Sequence, residues 1–183
     1  GEAGDVTGAG AVRGSSALSG TGVGAVTVAP GQVVVGAKAI AGEWGHDRLP
    51  GDEKQWPRCC CGREGCVETF LSGPGRRRDH LRCGGENLEP AEINARAVAG
   101  DAACEATLRR YESRLARALA VVVNILDPEV IVLGGGISNL DRLYANVPAL
   151  WAAHIFSDKP ATRLLKSRHG DASGVRAAAW LWA

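Results

Sequence analysis

At 183 residues the chain is long enough for one modest domain or one large lobe of a larger protein. Hydrophobic residues make up 45% and charged residues 22%, the balance of a soluble globular protein, and a formal net charge of +1 argues against a nucleic-acid partner held by bulk electrostatics. No apolar run approaches bilayer length, and the opening Gly1-Glu2-Ala3-Gly4-Asp5 has neither the basic nor the apolar part of a signal peptide, so a cytoplasmic location with no membrane partner is expected.

The sequence holds no methionine, even at position 1, which points to a chain that begins downstream of its natural start or has been processed. Residues 1–16 are rich in Gly, Ala and Ser and carry little pattern. Residues 17–28 read as a glycine-interrupted strand, Pro30-Gly31 as a turn, and Gln32-Val33-Val34-Val35 as a returning strand, together a β-hairpin. Residues 43–66 are irregular, with Pro50-Gly51 and Pro57. A helix is predicted from near Val67 to the breaker run Ser72-Gly73-Pro74-Gly75, and Pro90 opens a second. Asp101 can cap a third, in which Leu108, Tyr111, Leu115, Leu119 and Val122 recur at steps of three and four before Asp127-Pro128 ends it. Val130-Ile131-Val132-Leu133 reads as a buried strand feeding the turn Gly134-Gly135-Gly136, with helices over 141–154 and 173–182 to follow. Strand, glycine turn and helix in that order indicate an α/β layered fold.

The sharpest chemical signal is His46 followed by Cys59-x-Cys61-x4-Cys66. Six cysteines could suit disulfides in a secreted protein, but clustered cysteines in a chain without an export signal more often bind metal. Zinc takes four soft or borderline ligands in a tetrahedron, and three Cys with one His is a common structural set. Gly62 and Gly65 let the chain double back to deliver the third sulfur, while His46 arrives from a separate segment. Cys60 could compete with Cys59 or Cys61, and Cys83 and Cys104 are expected to be small buried residues.

Glu43-Trp44-Gly45-His46 followed by Cys59-Cys60-Cys61-Gly62-Arg63-Glu64-Gly65-Cys66-Val67-Glu68 resembles the signature of the ROK family, E-x-G-H then C-x-C-G-x-x-G-C-x-E. Ser72-Gly73-Pro74-Gly75, the Asn124-Ile125-Leu126-Asp127-Pro128 run, the Val132-Leu133-Gly134-Gly135-Gly136 turn and His169-Gly170-Asp171-Ala172-Ser173-Gly174-Val175-Arg176 extend the resemblance, closest to fructokinases of the bacterial manno(fructo)kinase type. It implies an actin/hexokinase-like ATPase (ribonuclease H-like) fold. Residues 1–16 would be a residual N-terminal segment or linker, and 17–183 the C-terminal lobe with an inserted zinc-binding loop over 43–68. It further implies transfer of the ATP γ-phosphoryl group to a hexose with Mg2+, with fructose as the first expectation and a homodimer as the full-length assembly. Carried over position by position, Glu43, His46 and Glu68 are sugar contacts. His46, Cys59, Cys61 and Cys66 hold a structural zinc. Gly20, Thr21, Gly22 and Gly24 resemble a phosphate-binding hairpin, and Gly134, Gly135 and Gly136 an adenosine-side turn. A histidine can serve twice, one ring nitrogen on zinc and the other donating to a sugar oxygen.

The family also uses an N-terminal D-x-G-G-T loop and an Asn-Asp pair whose aspartate is the catalytic base, and neither occurs in this sequence. No catalytic residue is therefore assigned here, and the base is expected upstream of Gly1. Alternative readings are an N-acetylglucosamine or glucose kinase, a sugar-sensing transcriptional repressor of the same family, and a zinc-stabilised interaction domain. The Arg76-Arg77-Arg78 run is expected to be solvated or to face a helix dipole rather than nucleic acid.

Overall fold

A computed structural model describes residues 14–19, 22–29 and 32–167. Among them, five strands form one sheet in the order β3-β2-β1-β4-β5. These are β1 (Gly14–Ser19), β2 (Val23–Ala29), β3 (Gln32–Val33), β4 (Val130–Gly134) and β5 (Arg163–Lys166). β1 pairs antiparallel with β2 and parallel with β4, and β4 pairs parallel with β5. The hairpin expected around Pro30-Gly31 is present as β2 and β3, although the returning strand is only two residues long. The stretch predicted as one strand is two, because the chain reverses between Ser19 and Val23.

β4 is buried at all five positions, and its apolar run sorts by the two-residue period of a strand. Ile131 and Leu133 join the main core, whereas Val130 and Val132 pack with Val28 against the other face.

The helices are α1 (Val67–Leu71), α2 (Gly73–Arg82), α3 (Pro90–Val98), α4 (Ala102–Leu126) and α5 (Arg142–Trp151). α4 is the 25-residue spine; Asp101 caps it by accepting the Cys104 backbone N–H at 2.9 Å. It ends at Asp127, held in the left-handed region at φ 42°, where the following Pro128 also opposes further helix. Its buried stripe, including Tyr111, Leu115 and Leu119, packs with Phe70 and Leu71 of α1, β4, and Leu143 and Val147 of α5.

Three expectations need correction. Ser72-Gly73-Pro74-Gly75 does not break the chain into a loop but starts α2, with the Ser72 hydroxyl accepting the Gly75 N–H at 3.1 Å and proline in the tolerant first turn. The arginine run lies inside that helix and is engaged. Arg76 is buried over the Tyr111 ring and bonds Asn94, Arg77 bonds Asn87 and Glu89, and Arg78 donates to the Thr69 carbonyl. Cys104 is buried as expected, but Cys83 is exposed because it caps the end of α2. The helix expected over 173–182 and the motif beginning at His169 lie outside the described residues.

Candidate functional site

The segment before the cysteines is laid against the start of β2 by two close backbone approaches. Gly42, at φ +96°, accepts the Ala25 N–H at 2.9 Å through its carbonyl. A Cβ on Gly45 would land on the Val23 carbonyl oxygen, so only glycine fits there. The short 3-10 turn Trp44–His46 therefore places Glu43 and His46 beside Val23. The returning chain zips onto the same segment: Leu49 N–H donates to the Gly65 carbonyl at 2.9 Å and Val67 N–H to the Asp47 carbonyl at 2.8 Å. Between the two, Gly62 and Gly65 take positive φ, and the Cys59 and Arg63 backbones bond at 2.8 Å to close the cysteine turn.

This path gathers the four predicted ligands. The donor atoms of His46, Cys59, Cys61 and Cys66 all lie within 4.8 Å of one another. Zinc bonds of about 2.3 Å to sulfur and about 2.0–2.1 Å to nitrogen, at tetrahedral angles, give donor separations of about 3.8 Å for S···S and about 3.6 Å for S···N. The structure has Cys61 Sγ to Cys66 Sγ at 3.6 Å and Cys59 Sγ to His46 Nδ1 at 3.5 Å. Donor chemistry and spacing both fit a tetrahedral ion. The thiols differ in ease of ionisation. The Arg63 backbone N–H holds Cys61 down to about 7, and burial, helped by the neighbouring thiols, pushes Cys66 up to about 12. A divalent cation among them would favour the thiolate at each sulfur.

A second donor group shares two members with the first: His46, Cys59, Cys60 and Glu68 also present atoms within 4.8 Å of one another. Glu68 is thus next to the histidine. Its Oε2 accepts the Val23 N–H at 3.0 Å, which ties α1 to the beginning of β2. Glu43 is exposed and, with His46, lines a cavity of about 680 Å3 walled by Ala25, Ile40, Val122 and Leu126; Glu68 is not part of that wall.

The glycine segments converge on one end of the sheet. Leu18 stands opposite Gly134 in the parallel pair and opposite Gly24 in the antiparallel one. That edge is the carboxyl end of β1 and β4, where ligands bind in open α/β sheets. Among the described residues, a Cβ on Gly24 or Gly136 would meet nothing within 4 Å. Gly135 needs φ +70° and its carbonyl accepts the Ser138 hydroxyl at 2.8 Å. Gly22 abuts the Glu68 carboxylate, with Oε2 3.0 Å from where its Cβ would be. Gly20 and Thr21 lie outside the described residues.

Sequence reading missed the clamp that holds the loop. Glu53, between His46 and the cysteines, takes two bonds from Arg114 of α4, at 3.0 and 2.8 Å, and one from Arg117 at 2.6 Å. Arg114 also pairs with Asp79 of α2 at 2.8 Å and lies over the Phe70 ring. Burial alone would raise the Glu53 and Asp79 carboxyls; the arginines override it and hold both below the usual range. The pairing spans 61 residues, so no local pattern announces it.

The profile described as ROK family matches residues 16–183. The chain belongs to the ROK family. The N-acetyl-D-glucosamine kinase of Photobacterium profundum is 38% identical over 171 residues, covering 90% of this chain and 56% of that protein. The chain therefore spans about half the length of the curated relatives it matches. Among solved structures, the ROK hexokinase of Thermus thermophilus superposes with a TM-score of 0.83 at 26% identity, over 98% of this chain and 62% of that one. The ROK family glucokinase of Streptomyces griseus, in complex with glucose and AMPPNP, gives a TM-score of 0.81 at 23% identity, over 95% of this chain and 61% of that one. The fold is that of ROK sugar kinases, as the sequence resemblance implied.

Proposed function

We propose that the chain is the sugar-binding lobe of an ATP-dependent hexose kinase. The observation that carries this reading is the meeting of His46 and Glu68, from separate segments, beside the start of β2. One Glu68 oxygen is fixed by the Val23 N–H, which leaves the carboxylate oriented to accept from a sugar hydroxyl. His46 presents Nδ1 toward Cys59, so Nε2 is the nitrogen left to donate. Glu43 is the third contact, across the 3-10 turn from His46.

A structural zinc held by His46, Cys59, Cys61 and Cys66 would fix the histidine tautomer and ring angle, so that orienting the ring costs nothing when sugar arrives. Gly20, Thr21, Gly22 and Gly24, with Gly134, Gly135 and Gly136, are assigned to ATP, which would enter with Mg2+. The position of Gly24 and Gly134 at the carboxyl end of the sheet supports that assignment.

The hexose favoured is N-acetyl-D-glucosamine. The relatives at 37–38% identity bear that name, and they displace fructose, which the resemblance had suggested first. The test is calorimetric titration of the zinc-loaded chain with N-acetyl-D-glucosamine, glucose and fructose, for wild type and Glu68→Gln. Losing one charge-assisted contact is worth about 1.5–3 kcal/mol, so the variant should bind the preferred sugar roughly 10- to 150-fold more weakly. ATP binding should be unchanged. Preference for fructose would reinstate the first expectation, and equal sugar affinity in variant and wild type would remove Glu68 from the site.

A further inference from the structure

Cys60 stands outside the four ligands assigned to zinc, yet it is not remote from chemistry. Its Sγ lies 3.9 Å from Cys59 Sγ and 3.7 Å from Glu68 Oε1, and the thiol is exposed. For a tetrahedral ion the corresponding separations are about 3.8 Å between two sulfurs and about 3.5–3.7 Å between sulfur and a carboxylate oxygen, from metal bonds of about 2.3 and 2.0–2.2 Å. Cys60 and Glu68 are therefore spaced to share a metal ion with Cys59, and solvent reaches that ion from the Cys60 side.

We propose that Cys59, Cys60 and Glu68 form a second site, for a thiophilic divalent cation such as Zn2+ or Cd2+. Its fourth position is left to water. The Cys59 sulfur has lone pairs enough to bridge both ions, whereas the Nδ1 of His46 serves only one, so the second ion depends on the thiolate bridge. The ion takes Glu68 Oε1 while Oε2 stays on the Val23 N–H. Occupation therefore competes with any hexose that uses the same carboxylate, and excess zinc or cadmium becomes an inhibitor of sugar binding. This inference rests on the assignment of the first zinc to His46, Cys59, Cys61 and Cys66 and of Glu68 to the sugar.

The experiment titrates Cd2+ into the reduced 183-residue chain as purified. Bound metal is counted by elemental analysis, and the ultraviolet sulfur-to-cadmium charge-transfer band is followed. Two equivalents are expected for wild type and one for Cys60→Ser and Glu68→Gln, with N-acetyl-D-glucosamine lowering the apparent affinity of the second equivalent only. Saturation of wild type at one equivalent overturns the second site and leaves the first intact. A Cys60→Ser chain that binds none makes Cys60 a member of the first set and overturns the proposal as well. Wild type that binds no metal at all overturns the zinc reading itself. Two equivalents that are indifferent to sugar overturn the competition.

Discussion

Replacing Arg114 with methionine keeps an unbranched apolar stem and removes the guanidinium that joins the loop over 43–68 to the helices. The Arg114 side chain is only 8% exposed, and it faces Asp79 at 5% and Glu53 at 11%. Breaking a buried ion pair by removing one partner costs about 3–5 kcal/mol, because the remaining charge is left without compensation. Here each carboxylate keeps a second arginine, Asp79 through Arg110 at 2.8 Å and Glu53 through Arg117 at 2.6 Å. The loss should therefore fall at the low end, about 3 kcal/mol, equivalent to a drop in Tm of about 6–12 °C for a domain of this size. The assay is thermal unfolding of metal-loaded protein, repeated from pH 7 to pH 4. Both carboxyls are held below their ordinary values in the folded chain, so their contribution is full above about pH 5 and fades as pH falls. The variant should accordingly lose less stability on acidification than wild type does. Arg109→Ala is the control, since that side chain is 75% exposed and its pair with Glu105 should be worth no more than about 0.5 kcal/mol. A Tm for Arg114→Met within about 2 °C of that control would refute the clamp, on a scale of about 2–4 °C per kcal/mol.

Cys61→Ser should lose the metal and loosen residues 43–68, while Cys83→Ser, exposed at the end of α2, should keep one ion per chain by elemental analysis. Gly45→Ala should fail to accumulate folded protein or melt far below wild type, because its Cβ would collide with the Val23 carbonyl and push Glu43 and His46 off β2; a melt unchanged from wild type would refute the close approach. Glu105 is held down to about 2, chiefly by the Arg142 guanidinium, so it stabilises the fold above about pH 4–5 and loses that contribution as pH falls toward 2. Chemical denaturation of Glu105→Gln against wild type should show a gap that is constant near neutrality and narrows below about pH 5.

The gathering of the cysteines was legible because their spacing is local: Cys59, Cys61 and Cys66 with Gly62 and Gly65 carry their own turn geometry, and the structure brings His46 to them. The spine α4 was legible from Asp101 and a stripe of buried residues, and β4 from an uninterrupted apolar run. β1 was not, since Gly14-Ser15-Ser16-Ala17-Leu18-Ser19 has no apolar alternation and is a strand because β2 and β4 pair with it on both sides. β5 is four residues long and is likewise defined by pairing with β4. α2 was hidden because Gly-Pro-Gly reads as a stop when no cap is recognised, although Ser72 is one. The contact of Glu68 with the Val23 N–H joins residues 45 apart, and no spacing rule supplies it. Glu43 and Glu68 were singled out only through the family resemblance, since two exposed or half-exposed glutamates are otherwise ordinary surface groups.

The most direct test of the account is NMR mapping of N-acetyl-D-glucosamine on the zinc-loaded chain, before and after the metal is removed with a chelator. The account predicts sugar-dependent shifts at Glu43, His46, Glu68 and Val23 that vanish with the metal, because the proposed ion would set the His46 ring. Shifts at those residues that persist unchanged without metal would contradict it, as would a sugar response confined to other parts of the fold.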